Sequence, residues 1–375
     1  MRYVLFSLFL IFCIDAASAE VAWRDVSTPV DNILRNRERA GFGPTGQDTL
    51  SNRRLDGMLD EAVSILTDNP GGQYRKDLAA LRDAISSSRE RIAKLRFEAA
   101  GAPEGSGSIL DPLLAKIGLG GKTKSSYEAR IANEQRSIAE KEARYAALEE
   151  AFLKDLSGIG INLTRAQMKG LMAMATADDI IAMQSAFENM KSINRELQDA
   201  TVRSDESLDV ARRYYGIYAV MLEIALRMHD NFISRVDDEY LMRLSKIVQE
   251  TAAAREEAEG LATSTLDKGL KEVLARNISA QKLTLEAANA YRQRLIEQRD
   301  RIAAARHRIG LRHEVAVNSW KTVRLSSDLV GMIRSTGKDF DTLLSLDIPD
   351  LRPFQSIELQ REFERLTRKI DVPSS

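Results

Sequence analysis

Between Leu113 and Ile348 the chain runs 236 residues without a proline. At the usual frequency of about 5%, roughly twelve would fall in a stretch that long. Proline inside a helix costs about 3 kcal/mol, because it lacks the N–H and its ring clashes with the preceding turn. A long proline-free span with no strand-like alternation is therefore the mark of long helices. Composition agrees: aromatics are 6% of the chain and charged residues 29%, a balance that suits helices paired along narrow apolar seams better than sheets.

Within this frame the apolar residues set the elements. Leu55, Met58, Leu59, Ala62, Ile65 and Leu66 form one stripe and predict a helix over Leu50–Thr67. DNPGGQ at 68–73 breaks it. Leu78, Leu81, Ile85, Ser88, Ile92, Leu95 and Ala99 then alternate by three and four, the spacing of a heptad seam, over Tyr74–Ala99. Ile131, Ile138, Tyr145 and Phe152 recur every seven residues over Ser126–Ser157, with Leu148 filling in and Gly158 as a natural stop. Two such helices joined by a loop predict an antiparallel hairpin. Thr164 with Gln167 and Thr176 with Asp179 read as capping boxes that start helices near Arg165 and Ala177. Helices are further expected over Asp205–Val236, Asp237–Ala262, from Leu266 into the 310s, and over Val323–Leu346. IPDLRPF at 348–354 reads as a rigid turn before a last amphipathic helix carrying Leu359, Phe363, Leu366 and Ile370. The fold class is all-α: an elongated helical bundle with an antiparallel coiled-coil hairpin. Its expected divisions are residues 1–19, an extended lead-in at 20–48, helix and hairpin at 49–157, a long-helix body at 158–346, and the turn and final helix at 347–375.

The first nineteen residues read as an export signal: Arg2, an apolar run from Tyr3 to Ile14, then Ala17-Ser18-Ala19, whose small residues suit a signal peptidase. The expected location is periplasmic or secreted. Cys13, the one cysteine, lies in the apolar run behind Leu10-Ile11-Phe12, which does not suit lipid attachment. The mature chain would then have no thiol for a disulfide, a nucleophile or a zinc site. A net charge of −1 gives no general pull toward nucleic acid. The most apolar later stretch, YYGIYAVMLEIAL at 214–226, is too short to span a bilayer and contains Glu223.

No arrangement of chemistry-bearing residues rises above a structural explanation. His307 and His313 are six apart and so face different sides of a helix, and HEVAV at 313–317 lacks the second histidine of a zinc motif. His229 and its fellows are expected at solvated or capping positions. Asp178-Asp179 and Asp237-Asp238-Glu239 fall where helix N-termini are expected and would cap them. Met168, Met172, Met174, Met183 and Met190 interleave with aliphatics and read as adaptable core. Arg292, Arg299, Arg306 and His313 form a column every seven residues, expected to pair with Glu250, Glu256, Glu257 or Glu259. No cofactor, metal or catalytic residue is expected.

One stretch stands apart. Ser106–Ser126, the expected hairpin tip, is rich in glycine and serine yet carries Ile109, Leu110, Leu113, Leu114, Ile117 and Leu119. Full burial of six aliphatics would stabilise by at most about 9–18 kcal/mol, too much to leave in water without use. They either pack on the chain's own body, dock on a protein partner, or touch a membrane without spanning it. The sequence thus favours an exported, non-enzymatic scaffold or adaptor of a cell-envelope assembly, with a protein partner and possible homo-oligomers; the alternative is a secreted α-helical pore-former. The export reading has a direct check. N-terminal sequencing of protein from native cells should read from near Glu20, and an intact Met1 on a cytoplasmic protein would overturn it.

Overall fold

A computed structural model describes residues 21–42, 49–67, 71–103, 123–203, 208–323, 336, 339–345, 354 and 356–371. The expected signal at 1–19, the apolar tip at 106–122 and most of the turn at 348–354 lie outside these. The protein is all-α. In chain order the helices are α1 (Trp23–Ala40), α2 (Thr49–Leu66), α3 (Gly71–Ala100), α4 (Lys124–Gly158), α5 (Arg165–Met172), α6 (Ala177–Arg203), α7 (Leu208–Ser234), α8 (Leu241–Ser264), α9 (Lys268–Thr322) and α10 (Ile357–Asp371). A six-residue π-helical stretch, Arg235–Tyr240, joins α7 to α8 without a break. No strand occurs among the described residues.

α7 is the centre. Every side chain from Tyr214 to Ala225 other than Gly216 is buried, which is the pattern of a helix surrounded by others. That explains why YYGIYAVMLEIAL is so apolar: it is core. Glycine at 216 is required by a close approach, since a Cβ there would lie 2.7 Å from the Leu34 side chain and 3.2 Å from Trp320 Nε1.

The helix that approaches there, α1, corrects the expected extended lead-in at 20–48. Pro29 sits inside this helix at a cost of about 3 kcal/mol. Val26, Val30, Ile33 and Leu34 are buried along one face, and at about 1.5–3 kcal/mol each they outweigh it. Asp25 and Arg37 complement the two ends of the dipole. Arg37 also reaches into the core. It makes two bonds to the Glu223 carboxylate, one of 3.1 Å from Nε, and donates to the Gly41 carbonyl at 3.3 Å. Both side chains of this pair are nine-tenths buried.

α3 and α4 run antiparallel, as the seam predicted. Leu78, Ile85, Ser88, Ile92 and Leu95 are buried. Tyr74 donates to Asp155, Arg89 pairs with Glu142 and Arg91 with Glu134, so partner numbers fall as α3 rises. At about 1.5 Å per residue the 30 residues of α3 reach roughly 45 Å. α4 ends not at Gly158 alone but in a Schellman motif. Gly160 takes φ +79°; Ile161 N–H bonds Leu156 O at 2.8 Å and Gly160 N–H bonds Ser157 O at 3.1 Å. Ile161 and Leu156 are both fully buried, the apolar contact that accompanies this cap.

α9, at 55 residues the longest element, lies antiparallel to the continuous rod of α7, the π stretch and α8. α10 crosses the base of the assembly. Phe363, Leu366 and Ile370 are buried, and Tyr291 of α9 bonds both Ala175 N–H and Thr367 at 2.7 Å. On its outer side α10 holds α3: Arg82 pairs with Glu364 at 2.6 Å and Arg75 bridges Asp178 and Asp371.

The Arg37–Glu223 pair gives a sharp test. Glu223→Ala leaves a buried guanidinium without its main partner and should cost about 3–5 kcal/mol in denaturant unfolding, whereas the double change Arg37→Met with Glu223→Leu should recover most of that loss.

Candidate interaction sites

The six aliphatics at 109–119 lie outside the described residues, so the structure gives the mount rather than the tip. Its neck is closed by a bond from Lys124 N–H to Pro103 O at 3.1 Å. Thr123 caps α4 by accepting from Ser126 N–H. Below the neck Phe97 is 84% exposed. Halfway down, Ser88 forms a polar layer in the seam, accepting from Lys141 Nζ at 3.0 Å and Arg91 Nη2 at 2.7 Å. Beyond the base, the other faces of the hairpin are charged. This is a stalk: two helices that need only each other, anchored at one end.

A second antiparallel hairpin, formed by α8 and α9, was not legible as a site. Around its turn Leu261, Leu266, Leu270 and Val273 are exposed while Ala258 is buried. The signal was present in the sequence: Ala258 and Ala262 fall on the α8 seam and Leu261 falls beside them.

The arginine column pairs within the chain, but not with the expected acids. Arg292 donates to Ser245 Oγ at 2.7 Å, Arg299 to Asp237 at 3.1 Å, and Arg306 to Asp230, with one bond of 2.9 Å. Seven residues along α9 move the partner back seven from 237 to 230, but eight from 245 to 237. The extra residue falls at the π stretch, which inserts one position into the rod. Glu250, Glu256, Glu257 and Glu259 lie farther out along α8, where they are exposed and Glu259 pairs with Arg255. Asp237 likewise corrects the capping expectation: no helix starts there. Asp178 and Asp179 do sit in the first turn of α6, yet Asp179 pairs with Arg235 and accepts from Tyr240 Oη at 2.9 Å. Burial raises the Asp179 carboxyl above its ordinary pKa. Thr176 donates to Gln298 at 2.8 Å rather than closing a capping box, while Thr164 and Gln167 do form one. Met168, Met174, Met183 and Met190 are buried core.

His229 corrects the expectation of a solvated histidine. It is buried, stacks on Phe187 at 5.6 Å, and lies 2.7 Å from the Ala225 carbonyl through Nδ1. A carbonyl only accepts, so Nδ1 carries the proton. Burial lowers its pKa, and burial likewise lowers that of His313, which meets the Phe42 ring edge-on. A cavity of 190 Å³ lies between Phe187, His229, Ile302 and the exposed Arg301 and Arg308. Ligand pockets usually hold about 300–1,000 Å³, so this one is small. Among the described residues no group of three or more His, Cys, Asp or Glu could hold a metal, and no helix is long and apolar enough to cross a membrane.

Fold and surfaces together define an all-α bundle bearing two antiparallel helical hairpins. No family model, no curated protein and no solved structure matches the chain.

The buried histidines predict a pH dependence. A histidine whose pKa is lowered on folding binds fewer protons in the native state, so its contribution to stability is complete above the unfolded value of about 6.5 and is lost as pH falls below it. Unfolding free energy should therefore drop from pH 7 toward pH 5. His229→Phe, which keeps the stack on Phe187, should reduce that slope and leave the part that His313 contributes.

Proposed function

We propose that the chain is an exported, non-enzymatic scaffold or adaptor of a cell-envelope assembly. It engages a protein partner through its helical surfaces and through the tip of the α3–α4 hairpin at Ile109, Leu110, Leu113, Leu114, Ile117 and Leu119. The observation that carries this reading is the stalk. α3 and α4 bury their apolar residues in one mutual seam and are tied to the rest at the base, by Arg75, Arg82 and the α4–α5 cap. Beyond Asp83, the last α3 residue with an ion pair to α10, the helix runs on for roughly 25 Å, and the six aliphatics follow its end in sequence, which on this reading makes them an apolar knob. The apolar run and small-residue site at 3–19 support export.

Replacement of 109–119 by a Gly/Ser loop of equal length tests it. The seam from Leu78 to Leu95 does not include the tip, so the melting temperature should hold. A photo-crosslinker at Leu114 in the native envelope should give one discrete adduct, and capture of that same protein should fail with the Gly/Ser variant. A loss of several kcal/mol in the variant would show that the aliphatics pack on the chain itself and would overturn the reading. Leakage of liposomes that depends on the tip would favour a membrane-perturbing protein instead.

A further inference from the structure

The end of the α8–α9 hairpin leaves several large aliphatics outside its seam. Ala258 is buried between the helices, whereas Leu261, Leu270 and Val273 are 51%, 57% and 51% exposed and Leu266, in the turn, is 94% exposed. Water alone gives no reason for leucines in those places. At 100° per residue, Leu261 lies about 90° to one side of the α8 seam defined by Thr251, Ala258 and Ala262. Leu270 and Val273 lie on average about 80° to the same-handed side of the α9 seam defined by Leu274, Ile278, Gln281 and Leu285. Because the helices are antiparallel, equal-handed offsets fall on the same broad face. The three helical residues and the turn leucine therefore form one apolar face at the end of the hairpin.

The rim of that face is polarised. On the α8 side it carries the exposed Glu250 and Glu257. On the α9 side it carries Arg276, whose one ion pair is an exposed i,i+4 contact of 3.5 Å with Glu272. A two-fold axis parallel to the hairpin stacks the face on a copy of itself, with both turns at the same end and each α8 over the other copy's α9. That operation puts leucine on leucine and brings Glu257 to the level of Arg276 in the second copy. Glu250 and Glu257 oppose insertion into an anionic bilayer, while Glu257 is complementary to Arg276 of a second copy.

We propose that this face is a homodimer contact, in which two α8–α9 hairpins form a four-helix cluster through Leu261, Leu266, Leu270 and Val273, with Glu257 and Arg276 paired across the two-fold axis. The isologous arrangement is the commonest symmetry of soluble oligomers. Burying the four side chains would remove on the order of 400 Å² per copy, about half of the roughly 800 Å² of a standard interface. The dimer is accordingly a weak one, formed at micromolar concentration and built at a surface separate from the α3–α4 tip. It does not depend on the adaptor reading.

Sedimentation equilibrium of the full chain tests it. The wild type should shift from monomer to dimer over the micromolar range, and Leu270→Asp with Val273→Asp should hold it monomeric at every concentration reached, with an unchanged circular dichroism spectrum. Glu257→Lys alone and Arg276→Glu alone should each weaken dimerisation about tenfold or more, a shift of about 1.4 kcal/mol. Mixed together, these two variants should dimerise again, because the mixed pair restores opposite charges at both positions while each variant with itself does not. A monomeric wild type overturns the proposal. So does a dimer indifferent to Leu270 and Val273, or a mixture no tighter than its components. Binding of the monomer to neutral phosphatidylcholine vesicles, lost in the Asp variant, would assign the face to a membrane and overturn it as well.

Discussion

The antiparallel register between α9 and the rod from Leu208 to Ser264 is the constraint on which the other elements depend. The apolar part is the burial of α7 together with that of Tyr291, Leu295, Ile302 and Ile309 of α9. The polar part is the column of Arg292, Arg299 and Arg306 on Ser245, Asp237 and Asp230. Each pair is partly exposed and worth at most about 1 kcal/mol. Their value lies in direction: an aliphatic seam tolerates a slip of one turn, whereas guanidinium groups at fixed intervals meet carboxylates in only one register. The π stretch belongs to that register, since it supplies the position that brings Asp237 under Arg299 and Ser245 under Arg292.

How much of this the sequence declares depends on how regular each helix is. The α3–α4 seam is strictly periodic and pairs locally, so spacing alone places Ile85, Ser88 and Ile92 on its inner side. The proline-free span likewise announced the long rods. α1 escaped because its segment is polar and punctuated by glycine and proline, although the energy of the four buried aliphatics Val26, Val30, Ile33 and Leu34 exceeds the cost of Pro29. The arginine column was legible as a column, but its partners depended on one inserted residue, and no local pattern marks a π bulge. His229 is buried although its neighbour Asp230 reaches the surface to pair with Arg306. Burial of one does not imply burial of the other when they are 100° apart on a helix. Of the expected site, the spacing of 109–119 marks the residues, while their surroundings lie beyond the described part of the chain.

Two hairpins of unlike construction leave the same bundle. The α3–α4 stalk is tied to the body by ion pairs that α10 supplies, so its orientation follows from the packing of a helix that is distant in sequence. The α8–α9 hairpin continues helices that are already core, and it needs no tie. Its distal seam sets Ala258 of α8 against α9, and Leu261, Leu266, Leu270 and Val273 face outward.

α10 has a consequence for the order of assembly. Arg75 meets Asp371 across 296 residues of sequence, and Thr367 closes the network of Tyr291 with the carbonyl of Ala173. The base of the stalk is therefore completed by a segment made after everything it touches. Without that segment Tyr291 and the apolar floor beneath Phe363 would have no cover. Contacts of such long separation are slow to form.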